Sequence, residues 1–247
     1  MGPEMTRKVV LITGGGRGIG AAAARLLGRE GWAVAVNYRS DAEAAARTVA
    51  DVEAAGGEAL AVQADTGAPA DIEPMFEAVD RRWGRLDALV NNAGIVGPRG
   101  PFDCVTLDDM LRVMAVNVVG YMLCIQAALP RLKATGGGAI VNVSSGSANQ
   151  GGAGEQVLYA ASKGAVNSLG IGLSQELGRA GVRVNTVSPG LTRTDMPPAE
   201  KLAAVGPNIP LGRVGEAEEV AAGIVWLLSD AASWTAGANL RISGGVA

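Results

Sequence analysis

The sequence predicts a doubly wound α/β fold, a parallel seven-stranded sheet with helices on both faces. Three observations carry this expectation. Short, continuously apolar runs recur along the chain and read as strands buried on both faces. Helical stretches separate them, rich in Ala and Leu and bounded by capping residues or glycines. The alternation runs the whole length, which makes the strands parallel. No second β-rich or Pro-rich block marks another domain, so residues 1–247 are read as a single domain.

The elements follow in order. Val9-Val10-Leu11-Ile12, within Arg7 to Thr13, is the first strand, and Ile19 to Arg29 the first helix. Trp32 to Asn37 is the second strand. Asp41 to Ala54 is a helix with Ser40 or Asp41 as N-cap and Gly56-Gly57 as its stop. Ala59 to Gln63 is the third strand. Pro69 to Trp83 is a helix opened by proline, where a missing N–H costs nothing. Leu86 to Val90 is the fourth strand. Thr106 opens a long helix with Asp108 and Asp109 in its first turn, where the helix dipole favours acids. Ala139 to Val143 is the fifth strand, followed by a helix from about Val157 to Arg179. Val182 to Val187 is the sixth strand. After an irregular stretch come a helix, Glu216 to Leu228, and a last strand, Asn239 to Ile242.

Composition excludes several function classes. With 48% apolar and 18% charged residues the chain is not disordered. The net charge is −3, and no stretch combines Lys/Arg with aromatics, so nucleic acid is not an expected partner. No uninterrupted apolar run approaches the ~18 residues of a membrane span. Met1-Gly2-Pro3-Glu4-Met5 carries no signal pattern. There is no histidine, and Cys104 and Cys124 form no Cys-x-x-Cys pair, so no metal site is expected. The two thiols read as buried or half-buried groups in a reducing cytoplasm.

Thr13-Gly14-Gly15-Gly16-Arg17-Gly18-Ile19-Gly20 lies between the first strand and the first helix. Glycines there permit a tight turn and bring backbone N–H groups to a phosphate, and the helix N-terminus adds donors and a favourable dipole. The spacing Gly14-x-x-x-Gly18-x-Gly20 is one residue longer than Gly-x-Gly-x-x-Gly. A carboxylate at the end of the second strand would hold the adenosine ribose of NAD. This chain has Asn37-Tyr38-Arg39-Ser40 instead. Arg39 and Arg17 can flank a 2′-phosphate with Ser40 as hydroxyl donor, which favours NADP(H) and leaves NAD(H) open.

Tyr159 and Lys163, four residues apart, share one helix face, on the flank of the stripe Leu158, Val166, Leu169, Leu173 and Leu177. The ammonium favours the phenolate, so a group that titrates near ~10 becomes a usable acid/base. The competing reading is an edge-of-core tyrosine beside a solvated lysine.

Four segments in order, Thr13–Gly20, Asn91-Asn92-Ala93-Gly94, Tyr159-x-x-x-Lys163 and Pro189-Gly190, resemble the short-chain dehydrogenase/reductase family over essentially the whole chain, and most resemble its bacterial sugar dehydrogenase and 3-oxoacyl reductase-like members. The resemblance implies a Rossmann-type domain, residues 1–247 forming a single dinucleotide-binding and catalytic domain with a substrate loop around 191–215, and hydride exchange with a nicotinamide. It implies Tyr159 as proton donor/acceptor and Lys163 as the residue that holds the nicotinamide ribose and lowers the tyrosine pKa. It implies Ser145 as the group orienting the substrate oxygen, with Ser144 and Ser147 as alternatives, and Asn117 as the anchor of a relay water. Cofactor contacts are implied for Gly14, Gly16, Arg17, Gly18, Ile19 and Gly20; for Asn37, Tyr38, Arg39 and Ser40; for Asp65 at the adenine edge, with Thr66; for Asn92, Ala93 and Gly94; and for Pro189, Gly190, Thr192 and Thr194. The family also implies a homotetramer or homodimer. The substrate is expected to be a small alcohol or carbonyl compound, met by a pocket with few charges (Val96, Gln150, Met196). Only Arg131 and Lys133 offer a basic patch for an acidic carrier protein. The alternative is a non-catalytic NADP-sensing protein of the same fold.

Overall fold

The computed structural model describes residues 7–246. The segment Met1–Met5 therefore lies outside the described residues. Nine strands and nine α-helices are described: β1 Val9–Ile12, α1 Gly18–Arg29, β2 Ala33–Tyr38, α2 Ala42–Ala54, β3 Glu58–Gln63, α3 Pro69–Trp83, β4 Ala88–Asn91, α4 Leu107–Met114 and α5 Gly120–Ala134. Then follow β5 Gly138–Val143, α6 Ser147–Gln150, α7 Val157–Leu177, β6 Val182–Pro189, β7 Thr192–Arg193, α8 Ala199–Val205, β8 Gly215–Glu216, α9 Ala217–Leu228 and β9 Asn239–Ile242.

Seven strands form one parallel sheet in the order β3-β2-β1-β4-β5-β6-β9. The four apolar residues of β1 show why continuous runs mark such strands. Val10 and Ile12 pack against Ala23, Leu27, Val220 and Ile224 on the face covered by α1 and α9. Val9 and Leu11 pack against Phe76, Ile125 and Leu132 on the opposite face, under α3 and α5. Each such side chain contributes about 1.5–3 kcal/mol by leaving water. The chain winds outward from β1 in one direction and from β4 in the other. The crevice at the carboxyl ends of β1 and β4 is thus the switch point where ligands bind in open α/β sheets.

Three details depart from expectation. The helix opened by Thr106 is not uniform. A reciprocal cap starts it: Thr106 Oγ1 accepts from the Asp109 N–H at 3.1 Å and Asp109 Oδ2 from the Thr106 N–H at 3.1 Å. A π-helical turn, Ala115–Val119, then separates α4 from α5. Next to it, a Cβ on Gly120 would strike the Thr66 carbonyl. Second, residues 191–215 are not irregular: β7 and β8 pair in parallel and α8 lies between them. Third, Cys104 is exposed, while burial pushes the Cys124 thiol up to about 12.

Among the described residues, the helical stretch Leu107–Ala134 is long and apolar enough by composition to cross a membrane, and half of its apolar window is buried inside the fold. Asn117, Gly120 and Gln126 interrupt it, which is why no continuous apolar run marked it. Its apolar character is that of a core helix: Tyr121, Cys124, Ile125, Ala128 and Leu132 are at most 2% exposed.

Candidate active site

The loop after β1 is held by side chains that no simple motif records. Asn37, buried at the end of β2, accepts the Gly14 N–H at 3.1 Å and donates to the Val62 and Ala64 carbonyls. Asn92 donates to the Thr13 and Gly14 carbonyls, both at 2.9 Å. Thr13 Oγ1 in turn accepts the N–H groups of Asn92 and Ala93. Thr13 was given no role from the sequence, yet it ties the β1 loop to the β4 loop. Asn37 and Asn92 are thus scaffold as much as cofactor wall.

Gly14 and Gly18 have φ of +61° and +56°, a backbone that side chains rarely adopt. Gly20 does not line the cleft. A Cβ there would lie 2.5 Å from the Gly14 carbonyl and 2.6 Å from Asn92 Nδ2. Its role is close packing of α1 under the loop. Gly20→Ala is expected to displace Asn92, weaken dinucleotide binding at least tenfold and cost about 1–3 kcal/mol of stability, read by cofactor titration and thermal unfolding.

A cleft of about 550 Å³ opens over this loop, lined by Gly14, Gly16, Arg17, Gly18 and Ile19, then Asn37 to Asp41, Asp65, Thr66, Asn92 to Gly94 and Thr194. The N-terminus of α1 has no side-chain cap. Its first-turn N–H groups remain available to an anion, so the residues present fit a dinucleotide pyrophosphate. Arg17, Arg39 and Ser40 all line this cleft, and Arg17 lies 4.0 Å from Asp195. Asp41, the first acid after β2 in the chain, caps α2 by accepting the Ala44 N–H at 2.9 Å. Asp65 accepts from Arg112 at 2.7 Å and from the Gly67 N–H at 2.9 Å. Burial works to raise its pKa, but the Arg112 and Gly67 hydrogen bonds and the Arg112 and Arg39 charges hold it below the usual carboxylate value.

A second cavity of about 270 Å³ adjoins the first and shares Ile19, Asn92, Gly94, Val96, Arg99, Thr194 and Met196 with it. Ser145, Tyr159, Lys163, Pro189, Gly190 and Thr192 are in its wall. The neighbouring serines are engaged elsewhere. Ser144 Oγ donates to the Lys163 carbonyl at 2.9 Å, and Ser147 Oγ accepts from Gln156 Nε2 at 2.8 Å. Asn117 sits in the π-helical turn, fully buried. Its amide accepts the Ile95 N–H at 2.9 Å and donates to the Ile95 carbonyl and to Ser162. It thereby fixes the start of the loop after β4 against α7.

The tyrosine–lysine electrostatics differ from expectation. Burial raises the Tyr159 pKa; the Ser145 hydroxyl and the Arg99 charge oppose that rise. Lys163 is not what moves it. The Lys163 ammonium is buried with no carboxylate, donating to the Val143 carbonyl at 2.8 Å and to the Tyr121 hydroxyl at 3.2 Å. It lies 5.9 Å from the Tyr159 ring centre and 5.0 Å from that of Tyr121. Desolvation pushes its pKa down to about 7, so half of its charge is gone near neutrality. Tyr121 is a further residue the sequence left unassigned.

The cavity is also less neutral than expected, because Arg99 and Lys201 line it. Arg131, by contrast, is committed to Asp80 and Glu73 on α3.

A family model described as enoyl-(acyl carrier protein) reductase matches residues 14–247. An uncharacterized oxidoreductase, YgfF, of Escherichia coli K12 is 46% identical over 244 residues, covering 96% of this chain and 99% of that protein. A short-chain dehydrogenase from Burkholderia cenocepacia J2315, solved in complex with NADP, aligns with a TM-score of 0.91 at 39% identity over 97% of this chain and 98% of that one. A 3-ketoacyl-(acyl-carrier-protein) reductase from Brucella melitensis, complexed with NADH, aligns with a TM-score of 0.90 at 32% identity over 96% and 97%. Likeness at this level over nearly the full length, in a fold whose switch-point crevice is built for a dinucleotide, shows that the chain belongs to the short-chain dehydrogenase/reductase family of NAD(P)-dependent oxidoreductases acting on CH–OH groups.

Proposed function

We propose that this chain interconverts a secondary alcohol and a carbonyl by hydride transfer with NADP(H) as the preferred cofactor, residues 1–247 acting as one catalytic domain. The observation that supports it best is the meeting of Tyr159 and Ser145 in a cavity wall that continues into the dinucleotide cleft. The bound nicotinamide supplies or accepts the hydride. Tyr159, a protonated phenol at neutral pH because burial raises its pKa, gives its proton to the carbonyl oxygen in reduction and takes it back in oxidation. Ser145 donates a hydrogen bond to the same oxygen, and that bond strengthens as charge develops. Lys163 holds the nicotinamide ribose, and Asn117 anchors the relay water.

The NADP(H) preference rests on Arg17, Arg39 and Ser40 in the cleft lining, and on Asp41, the first acid after β2 in the chain, being used as a helix cap. Arg39→Ala is expected to raise KM for NADPH about tenfold and to change KM for NADH less than threefold, as loss of one charge-assisted phosphate contact requires. The test is a panel of alcohols and carbonyls read by NADPH absorbance in both directions, with NADH as comparator. Equal rates with both cofactors overturn the preference. The free, exposed thiol of Cys104 favours a reducing cytoplasm. Exposed Leu107 and Leu111 on α4, Met122 on α5 and Ile171 on α7 support a homodimer or homotetramer built on these helices, which solution mass measures.

A further inference from the structure

The substrate cavity carries an unbalanced charge. Its lining includes the cations Arg99 and Lys201 and the half-charged Lys163, and among the described residues no Asp or Glu lines it, in a chain whose net charge is −3. Lys163 is accounted for at the catalytic end. Arg99 and Lys201 come from two different segments, the loop after β4 and helix α8, and converge on Glu155 from the turn before α7. Arg99 Nη1 is 2.6 Å from Glu155 Oε1, and Lys201 Nζ is 2.6 and 2.8 Å from the two carboxylate oxygens. Glu155 does not itself line the cavity. It holds two cations that do line the cavity. One carboxylate against two cations leaves a net positive charge in the cavity wall. That charge reaches the reacting end, because Arg99 is felt by the Tyr159 phenol. The same lining includes the apolar side chains Val96, Met196, Val205 and Ile209.

We infer that Arg99 and Lys201 form a binding subsite for an anionic group of the substrate, a carboxylate or a phosphate, joined through an apolar spacer to the carbonyl or alcohol carbon at Tyr159. This rests on the proposed carbonyl chemistry and names its substrate class. An Arg guanidinium keeps a fork of donors suited to such an anion while one nitrogen stays on Glu155. The arrangement also explains how three substrate-side segments come to be tied at one point. Glu155 preorganises the cations, so they need not be ordered when the substrate arrives.

The test uses matched ketones: levulinate and 5-oxohexanoate against their methyl esters, and dihydroxyacetone phosphate against dihydroxyacetone. Binding to the enzyme with NADP+ present is measured by calorimetry, and turnover separately with NADPH. At least one anion is expected to bind about tenfold or more tightly than its neutral partner, and the pair that shows this separates carboxylate from phosphate. Arg99→Gln is expected to remove that margin and leave the neutral partner unchanged. Glu155→Gln, which leaves both cations in place but removes their preorganisation, is expected to keep the margin, and its complete loss in this variant also overturns the subsite. Anions that bind no better than their partners, or that fail to bind at all, overturn the subsite. So does an Arg99→Gln loss shared equally by both members of a pair, which marks a purely structural tie. Tight anion binding without turnover of any pair instead overturns the carbonyl chemistry and leaves the subsite standing.

Discussion

Tyr159→Phe is expected to lower kcat by about 10³-fold while leaving the dissociation constant for NADP(H) within about threefold. General acid–base groups contribute roughly 10²–10⁴ in rate, and no second phenol or imidazole can take over, since the chain has no histidine. Tyr121, the other buried tyrosine nearby, spends its hydroxyl on the Val143 carbonyl and on Lys163. The ring of Tyr159 is 8% exposed, so phenylalanine fills the same space and the fold is retained. Steady-state rates with the panel, together with a fluorescence titration of the cofactor, read both quantities. Full activity in this variant would sink the assignment of Tyr159. A wild-type protein that binds NADP(H) and turns over nothing in the panel would favour the alternative, a nucleotide-sensing protein that kept the fold.

The sheet and the cofactor cleft were legible because their signals are local. Four apolar residues in β1, a glycine loop, and a following helix with no side-chain cap are all written in adjacent positions. The tetrad positions were legible only through spacing along the whole chain. What escaped depends on distant partners. The π-helical turn at Ala115–Val119 lies next to Gly120, where a Cβ would strike the Thr66 carbonyl from a distant part of the chain. Nothing in the residues between Thr106 and Ala134 announces it. The β7–β8 pair is two residues long on each side, too short for a pattern. Arg99 and Lys201 stand 102 positions apart in the sequence, from 99 to 201, and meet only because Glu155 draws both to one point. The expectation that Lys163 depresses the Tyr159 pKa rests on spacing alone, while in the fold burial raises that pKa. A helical i, i+4 spacing sets proximity, but it says nothing of Tyr121 and Val143, which claim the ammonium first.

Lys163→Met is expected to abolish turnover and yet to raise the melting temperature of the cofactor-free protein by about 5 °C at pH 6, with the gain shrinking as pH rises. The ammonium is buried among neutral groups only, a carbonyl, a hydroxyl and two ring faces. Replacing buried ionic groups by apolar ones of similar volume is stabilising by roughly 1–4 kcal/mol, and a domain of this size gains about 2–4 °C per kcal/mol. The sign of the pH dependence follows from linkage. Lys163 titrates near 7 in the fold against an ordinary value of 10.5, so between these two values the unfolded chain binds more protons than the native one. Wild-type stability therefore rises through that window, and the cost of burying the ammonium is complete below about 7 and gone above 10.5. Thermal unfolding of both proteins from pH 6 to 10 reads the difference directly. A constant gap would show that Lys163 packs badly but carries no buried charge, and a destabilised variant would show that Tyr121 and Val143 stabilise the ammonium more than burial penalises it. A residue that weakens the free protein in this way is placed for what it does once the cofactor is bound: an ammonium desolvated in advance bonds strongly to the ribose hydroxyls proposed as its partners.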